Sequence, residues 1–286
     1  MRILTPMAGL ALICASAAQA QWTVGVDAHG FSDSNINQSA DEPLADKALM
    51  ARLTVSRHTE LDDDSELAWS AALEDVRHAR FAGLDEVAIS GSLSWRGKWG
   101  LGAYAPWWRT TWTSSRQVFD STERDAWVHE AGIELGRRLD PRWSTSVGAR
   151  FTWQMARPQA EAEPGVSGDA FSGQAASLTG RIDWVAAPSW QLMLSGFLRR
   201  GDVAANSADN DRILAVAKAA AFDTVFGADR YAYRLTGTSA GWALDLSHAL
   251  DERMQLRVGV QAQSTRAAAQ QRYDKTLLTL AWSDSF

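Results

Sequence analysis

The sequence of 286 residues holds one cysteine, four tyrosines and seven prolines. With Cys14 its sole cysteine, it can form no intrachain disulfide and no cysteine-based zinc site. After position 21 no run of about eighteen apolar residues occurs, which excludes a membrane-spanning helix. Basic side chains number 28 against 34 acidic ones, a formal net charge of −6. That sign argues against nucleic acid as a partner. Metal-binding patterns are missing as well. Asp62-Asp63-Asp64 is a run of acids without the spaced frame of a calcium loop, and it reads as a solvated turn. No cofactor and no metal are expected.

What is present begins with a leader. Arg2 precedes an apolar run from Ile3 to Ala18, closed by the small-x-small triplet Ala18-Gln19-Ala20, the pattern of a secretory signal peptide. Residues 1–20 are therefore expected to be removed, with the mature chain starting near Gln21. Cys14 follows Ile13, which lacks the small side chain of a lipoprotein cleavage box. Residues 21–286 then read as one domain.

A period of two dominates that domain. Trp22, Val24, Val26 and Ala28 alternate with Thr23, Gly25, Asp27 and His29, and about twelve segments follow the same rule. Leu49, Leu53, Leu67, Leu73, Ile89, Leu93, Ile133, Val147, Leu178, Leu194, Leu244, Val258 and Leu280 mark the apolar face. Lipid outside and small or polar side chains inside is the pattern of a transmembrane strand. Hairpin turns are expected at Arg96-Gly97-Lys98, with Trp99, Leu101, Ala103 and Ala105 running back, and at Asp140-Pro141-Arg142, Ala187-Pro188-Ser189 and Asp251. Short connectors near 57–65, 96–98, 139–142, 185–189 and 249–253 alternate with long ones near 30–47, 75–86, 106–126, 156–175, 200–234 and 264–275. The fold class expected is all-β, a single transmembrane antiparallel β-barrel of about 12 strands (10–14). Its termini should be periplasmic and its long loops extracellular.

Tryptophan, with fourteen copies, should sort into two interfacial belts. Trp22, Trp95, Trp99, Trp143, Trp184, Trp190 and Trp282 fall beside short turns or termini. Trp107, Trp108, Trp112, Trp127, Trp153 and Trp242 fall at the other end, with Trp69 slightly inside. The chain ends in Phe286, in keeping with a signal read by the outer-membrane assembly machinery. Asp284 interrupts that final pattern, and the last strand is expected to fray after Trp282. An alanine-rich stretch, Ile213 to Phe222, has the propensity of a short helix that plugs the barrel or caps its mouth.

Parity turns Arg52, Lys98, Arg150, Arg181, Arg199 and Arg257 inward, together with Asp27, Glu66, Glu130, Glu134, Asp183 and Asp245. Candidate lumen-lining residues are Arg52, Glu134, Arg150, Arg181, Asp183, Asp245 and Arg257. Asp245 and Arg257 should face one another about a turn, with Arg150 level with or diagonal to Glu134. Such pairs either select a solute or satisfy a polar interior. Enzymatic chemistry is not expected. His29 and His129 stand near the outer rim, but the position two residues after His129 is Ala131, and no hydroxyl is expected level with it.

Asp33-Ser34-Asn35-Ile36-Asn37 and Arg272-Tyr273-Asp274-Lys275 resemble segments at matching places in the barrel domain of the surface lipoprotein assembly modifiers and related uncharacterised outer-membrane proteins. That resemblance implies a role in moving proteins or lipoproteins to the cell surface. The sequence thus supports an outer-membrane porin-like channel for ions or small polar solutes. The alternatives are a non-conducting accessory barrel with a secreted or periplasmic partner and, third, a lipid hydrolase. Outer-membrane lipid is an expected partner in every case.

Overall fold

A computed structural model describes residues 22–62 and 64–286; the expected leader lies outside them, as does Asp63. Thirteen strands form in chain order among the described residues. They are β1 (Trp22–Asp33), β2 (Asp46–Asp62), β3 (Ser65–His78), β4 (Glu86–Lys98), β5 (Trp107–Phe119), β6 (Ala126–Arg138) and β7 (Trp143–Ala156). There follow β8 (Gly173–Ala187), β9 (Trp190–Ala208), β10 (Ala219–Phe222), β11 (Arg230–Ala249), β12 (Gln255–Ala267) and β13 (Arg272–Ser285). One α-helical turn, α1 (Asp211–Leu214), precedes β10. No described helix is long and apolar enough to cross a membrane.

Twelve strands make a closed antiparallel wall, because β1 pairs with β13 and β9 pairs with β11. The short β10 pairs with β11 beyond the point where β12 leaves it. Register partners of Trp22 run around the wall through Trp69, Trp112, Phe151, Arg200 and Arg266. They return to the line of β1 sixteen residues further along, a shear of 16. Twelve strands at that shear tilt by about 45° and enclose a barrel roughly 25 Å across, backbone to backbone.

The apolar residues lie outside. Leu49 and Ile89 are each 62 % exposed, the reverse of a soluble barrel, and only lipid can cover such a wall without cost. At the end that carries both chain termini, called here the turn end, Trp22 meets Trp69 edge-on at 4.9 Å, Trp95 meets Trp108 at 4.8 Å, and Trp143 stacks on Trp184 at 5.7 Å. Toward the opposite, loop end, Trp112, Trp127 and Trp153 surround His129.

One strand departs from expectation. Residues 99–106 are not the return strand that Trp99, Leu101, Ala103 and Ala105 suggest; they form a loop in which Gly100 and Gly102 take φ of 105° and 93°. Left-handed glycines cannot stay in a ladder, and β5 begins instead at Trp107. Trp107 and Trp108 consequently sit at the turn end, paired with Lys98 and Gly97, and not at the loop end. The strands also run further than the alternation suggests. Connectors shrink to 34–45, 120–125 and 268–271, so the contrast between short and long is weaker than expected. At the turn after β11 the Asp251 carboxylate accepts the backbone N–H of Arg253 and Met254 at 2.8 Å each, which holds its carboxyl below the usual range.

Nor does the last strand fray. β13 continues to Ser285, and Phe286 exchanges backbone hydrogen bonds with Val24 at 2.8 and 3.1 Å. Asp284, level with Val26, stands close to the turn-end rim, and the ladder to β1 holds the strand despite the charge.

Trp107 points inward and its ring covers Gly136, where a Cβ would come within 2.2 Å of the indole. Gly136→Ala should therefore destabilise the barrel by about 1–3 kcal/mol, read as a lowered urea midpoint in detergent micelles. Combining it with Trp107→Ala should return most of that loss; independent, additive effects would show that the contact is not the cause.

Candidate functional site

Each of the seven candidate residues shares parity with the inward side of its strand. Glu134, Arg150 and Arg181 line one cavity of about 500 Å³ together with Arg109 and Glu130. Asp183 lines the adjoining space toward the turn end, beside Trp107 and Gln191. Arg52 lies on β2, opposite Glu74 in register and 3.9 Å from it. Asp245 and Arg257 occupy the wall of β11 and β12.

The pairings differ in detail from expectation. Asp245 is level with Gly259, and Arg257 is level with Ser247, so the two acid and base side chains are diagonal neighbours rather than opposite. A hairpin connector of five residues, 250–254, sets that offset. Gly259 leaves the space that the Asp245 carboxylate occupies, a Cβ there meeting its oxygen at 2.4 Å. Arg150 is diagonal to both Glu130 and Glu134, and its ion pair, at 3.7 Å, is with Glu130. Glu134 binds Arg109 instead. Arg181 clasps Asp183 two residues along the same strand, with Nε–O distances of 2.9 and 2.8 Å, and Gln191 donates to the same carboxylate at 3.0 Å.

Together these side chains make a mixed-sign girdle, whose charges on β5 to β8 share one cavity. Arg109 escapes the sequence pattern because residues 106–126 read as a loop. Its signal is Arg109-Thr111-Thr113 alternating with Trp108-Thr110-Trp112. The girdle borders open space: the Arg150 side chain is 62 % exposed although it points inward. Exposed pairs of this kind contribute only about 0–1 kcal/mol each to stability.

Above the girdle, β9 and β11 continue past the rim, paired from Asp202–Thr236 to Ala208–Arg230, and β10 adds a third strand. The expected helix over Ile213–Phe222 is one turn only. Asn210 caps it through hydrogen bonds from the Arg212 and Ile213 N–H, and Ala219–Phe222 pairs with β11 as a strand. Edge pairing outweighs alanine propensity here. Val203, Ile213, Ala220, Tyr233 and Leu235 pack with inward-facing Tyr273 into a buried cluster at the mouth.

From β10 the chain reaches the far side of the opening. Phe226 meets Phe81 edge-on at 5.1 Å, and Val225 lies against Gly83, both on the connector between β3 and β4. Buried Asp223 accepts hydrogen bonds from Arg124 at 2.7 Å and Asn206 at 3.1 Å, and Arg230 pairs with Glu42. Residues 209–229 thus roof the mouth.

The two segments singled out by resemblance meet each other at the β1–β13 seam. Lys275 reaches the buried carboxylate of Asp33 at 2.5 Å. Asn35 Nδ2 donates to the Asp274 carbonyl at 3.2 Å and to that of Ser39 at 2.9 Å, while Tyr273 donates to Gln38 at 2.9 Å. Their arrangement is a clasp holding the first and last strands together.

His29 faces the interior near mid-strand, away from the rim. His129 faces outward, its ring 5.2 to 6.2 Å from those of Trp112, Trp127 and Trp153. Because β5 begins at Trp107, a hydroxyl does stand level with it, that of Ser114. No hydrogen bond joins Ser114 and His129 among the described residues.

The fold and the site define a closed twelve-stranded barrel of the outer-membrane type. No family model matches the chain, and no curated protein matches it in sequence. Solved structures do resemble it. An outer membrane channel from Pseudomonas putida F1 aligns with a TM-score of 0.59 at 10% identity, covering 95% of this chain and 97% of that one. The NanC porin aligns with a TM-score of 0.50 at 11% identity, covering 91% and 98%.

Proposed function

We propose that the protein is an outer-membrane channel for ions or small polar solutes, with its loop end outside the cell and its termini in the periplasm. The observation that carries this reading is the open charge girdle. An inward arginine with 62 % of its side chain exposed requires water in the lumen, where a packed barrel would have none. Arg109, Arg150 and Arg181 with Glu130 and Glu134, on four neighbouring strands, line one side of a solute's path with fixed charge of both signs. The two channel-forming neighbours share the architecture and agree with this reading.

The roof supports a second reading, a barrel that does not conduct and acts by contacting another protein. Planar-bilayer recording of the refolded protein separates the two. Discrete, ohmic openings of small conductance are expected for the channel. A folded, heat-modifiable barrel that stays silent in the bilayer overturns it and favours the accessory role, to be pursued by co-purification.

A further inference from the structure

On the outer face, just beyond the loop-end tryptophans, three arginines lie on one register line. Arg200 of β9 is level with Thr238 of β11, Thr238 with Arg266 of β12, and Arg266 with Arg272 of β13. All three are exposed. Level residues share a face, and this face is the one that carries Leu198, Trp242 and Leu278. Among the described residues none of the three arginines has an ion pair or a side-chain hydrogen bond. Asp274, also outward on β13, is the nearest acid along that strand, and three cations against it leave an excess of positive charge.

Arg266 directly opposite Arg272 is a like-charge cross-strand pair, which destabilises a sheet unless an anion lies between. Four adjacent strands span about 14 Å, more than one phosphate's width. Guanidinium groups bind phosphate oxygens in pairs. Position fits too: Thr238 stands four residues beyond Trp242, about 13 Å along the strand, where an interfacial ring gives way to headgroups.

Below Arg200 the same wall is hollowed. A groove of about 580 Å³ runs down the lipid-facing surface, floored by Ala131, Ala149 and Ala176, flanked by Phe151 and Leu198, and headed by Arg200. Small residues at its floor leave the width of a hydrocarbon chain between larger neighbours.

We propose that this face binds lipopolysaccharide, with the phosphates on Arg200, Arg266 and Arg272 and one acyl chain in the groove. The proposal shares with the preceding section the placement of the loop end outside the cell, and it does not depend on conduction. A multiply phosphorylated, multiply acylated lipid matches both the length of the arginine line and the groove beneath it. A diacyl phospholipid, with one phosphate, engages only part of the line.

The test is native mass spectrometry of the refolded barrel in detergent, with added deep-rough lipopolysaccharide or, separately, phosphatidylglycerol. Retention of lipopolysaccharide should fall at least about tenfold in the Arg200→Gln/Arg266→Gln/Arg272→Gln variant. It should also fall in Ala176→Leu, which fills the groove and leaves the arginines. Phosphatidylglycerol should bind weakly and equally to all three proteins. Equal lipopolysaccharide retention by parent and variants, or phosphatidylglycerol retained as well as lipopolysaccharide, overturns the proposal. Heat-modifiable migration confirms that each variant is folded, and a barrel that binds the lipid yet never conducts separates this proposal from the channel reading.

Discussion

Replacing residues 211–227 with a short Gly-Ser connector should raise single-channel conductance on the order of threefold. The roof bridges the opening of a barrel roughly 25 Å across, and it is anchored on the opposite wall by Phe226 on Phe81 and by Asp223 on Arg124. In the proposed channel, ions entering from the loop end pass around it, so its resistance lies in series with that of the girdle. The strands that carry it keep their pairing from Ala208–Arg230 downward, so the wall survives the deletion. A gentler variant, Phe226→Ala with Arg124→Ala, should give brief openings of the higher conductance. Unchanged conductance in both would show that the solute path does not run beneath the roof.

The second large effect concerns charge. Arg109→Glu with Arg150→Glu converts three arginines and two glutamates around the central cavity into one arginine and four glutamates. Reversal potentials in a salt gradient should move toward cation preference, the anion-to-cation permeability ratio falling about tenfold, equivalent to about 1.4 kcal/mol. Exchanging one pair instead, Glu130→Arg with Arg150→Glu, preserves net charge and should leave the ratio within about twofold of the parent, a difference of about 0.4 kcal/mol. If the inverted protein keeps the parent's selectivity, the girdle is structural only.

How much of this was readable without coordinates depends on what each residue faces. In the lipid-covered part of the wall every second side chain must be apolar, and runs such as Leu49 to Val55 or Leu278 to Trp282 show it directly. Above the lipid both faces of a strand meet water or loops, the constraint lapses, and Asp202–Ala208 or Arg230–Thr236 look like connector. β5 is obscured differently. It places Thr110 and Ser114 on the outer face, which dilutes its alternation, while the loop before it imitates a strand through Trp99, Leu101, Ala103 and Ala105. Gly100 and Gly102 were the available signal. For the girdle, parity was enough to turn Arg150 and Glu134 inward, but the choice of Glu130 over Glu134 rests on register, which a one-residue change of turn length would alter.

The clasp at the seam has a consequence for assembly. Asp33 and Asn35 belong to the opening of the described chain, and Lys275 and the Asp274 carbonyl to its close, more than 230 residues later. Until the final strand arrives, the Asp33 carboxylate, 1 % exposed in the finished barrel, must remain in water, since a charge buried alone is costly. Closure and neutralisation are therefore a single event. A chain truncated before β13 holds its first strand's polar end open to solvent, and the completed wall carries at its join a proof that both ends were made.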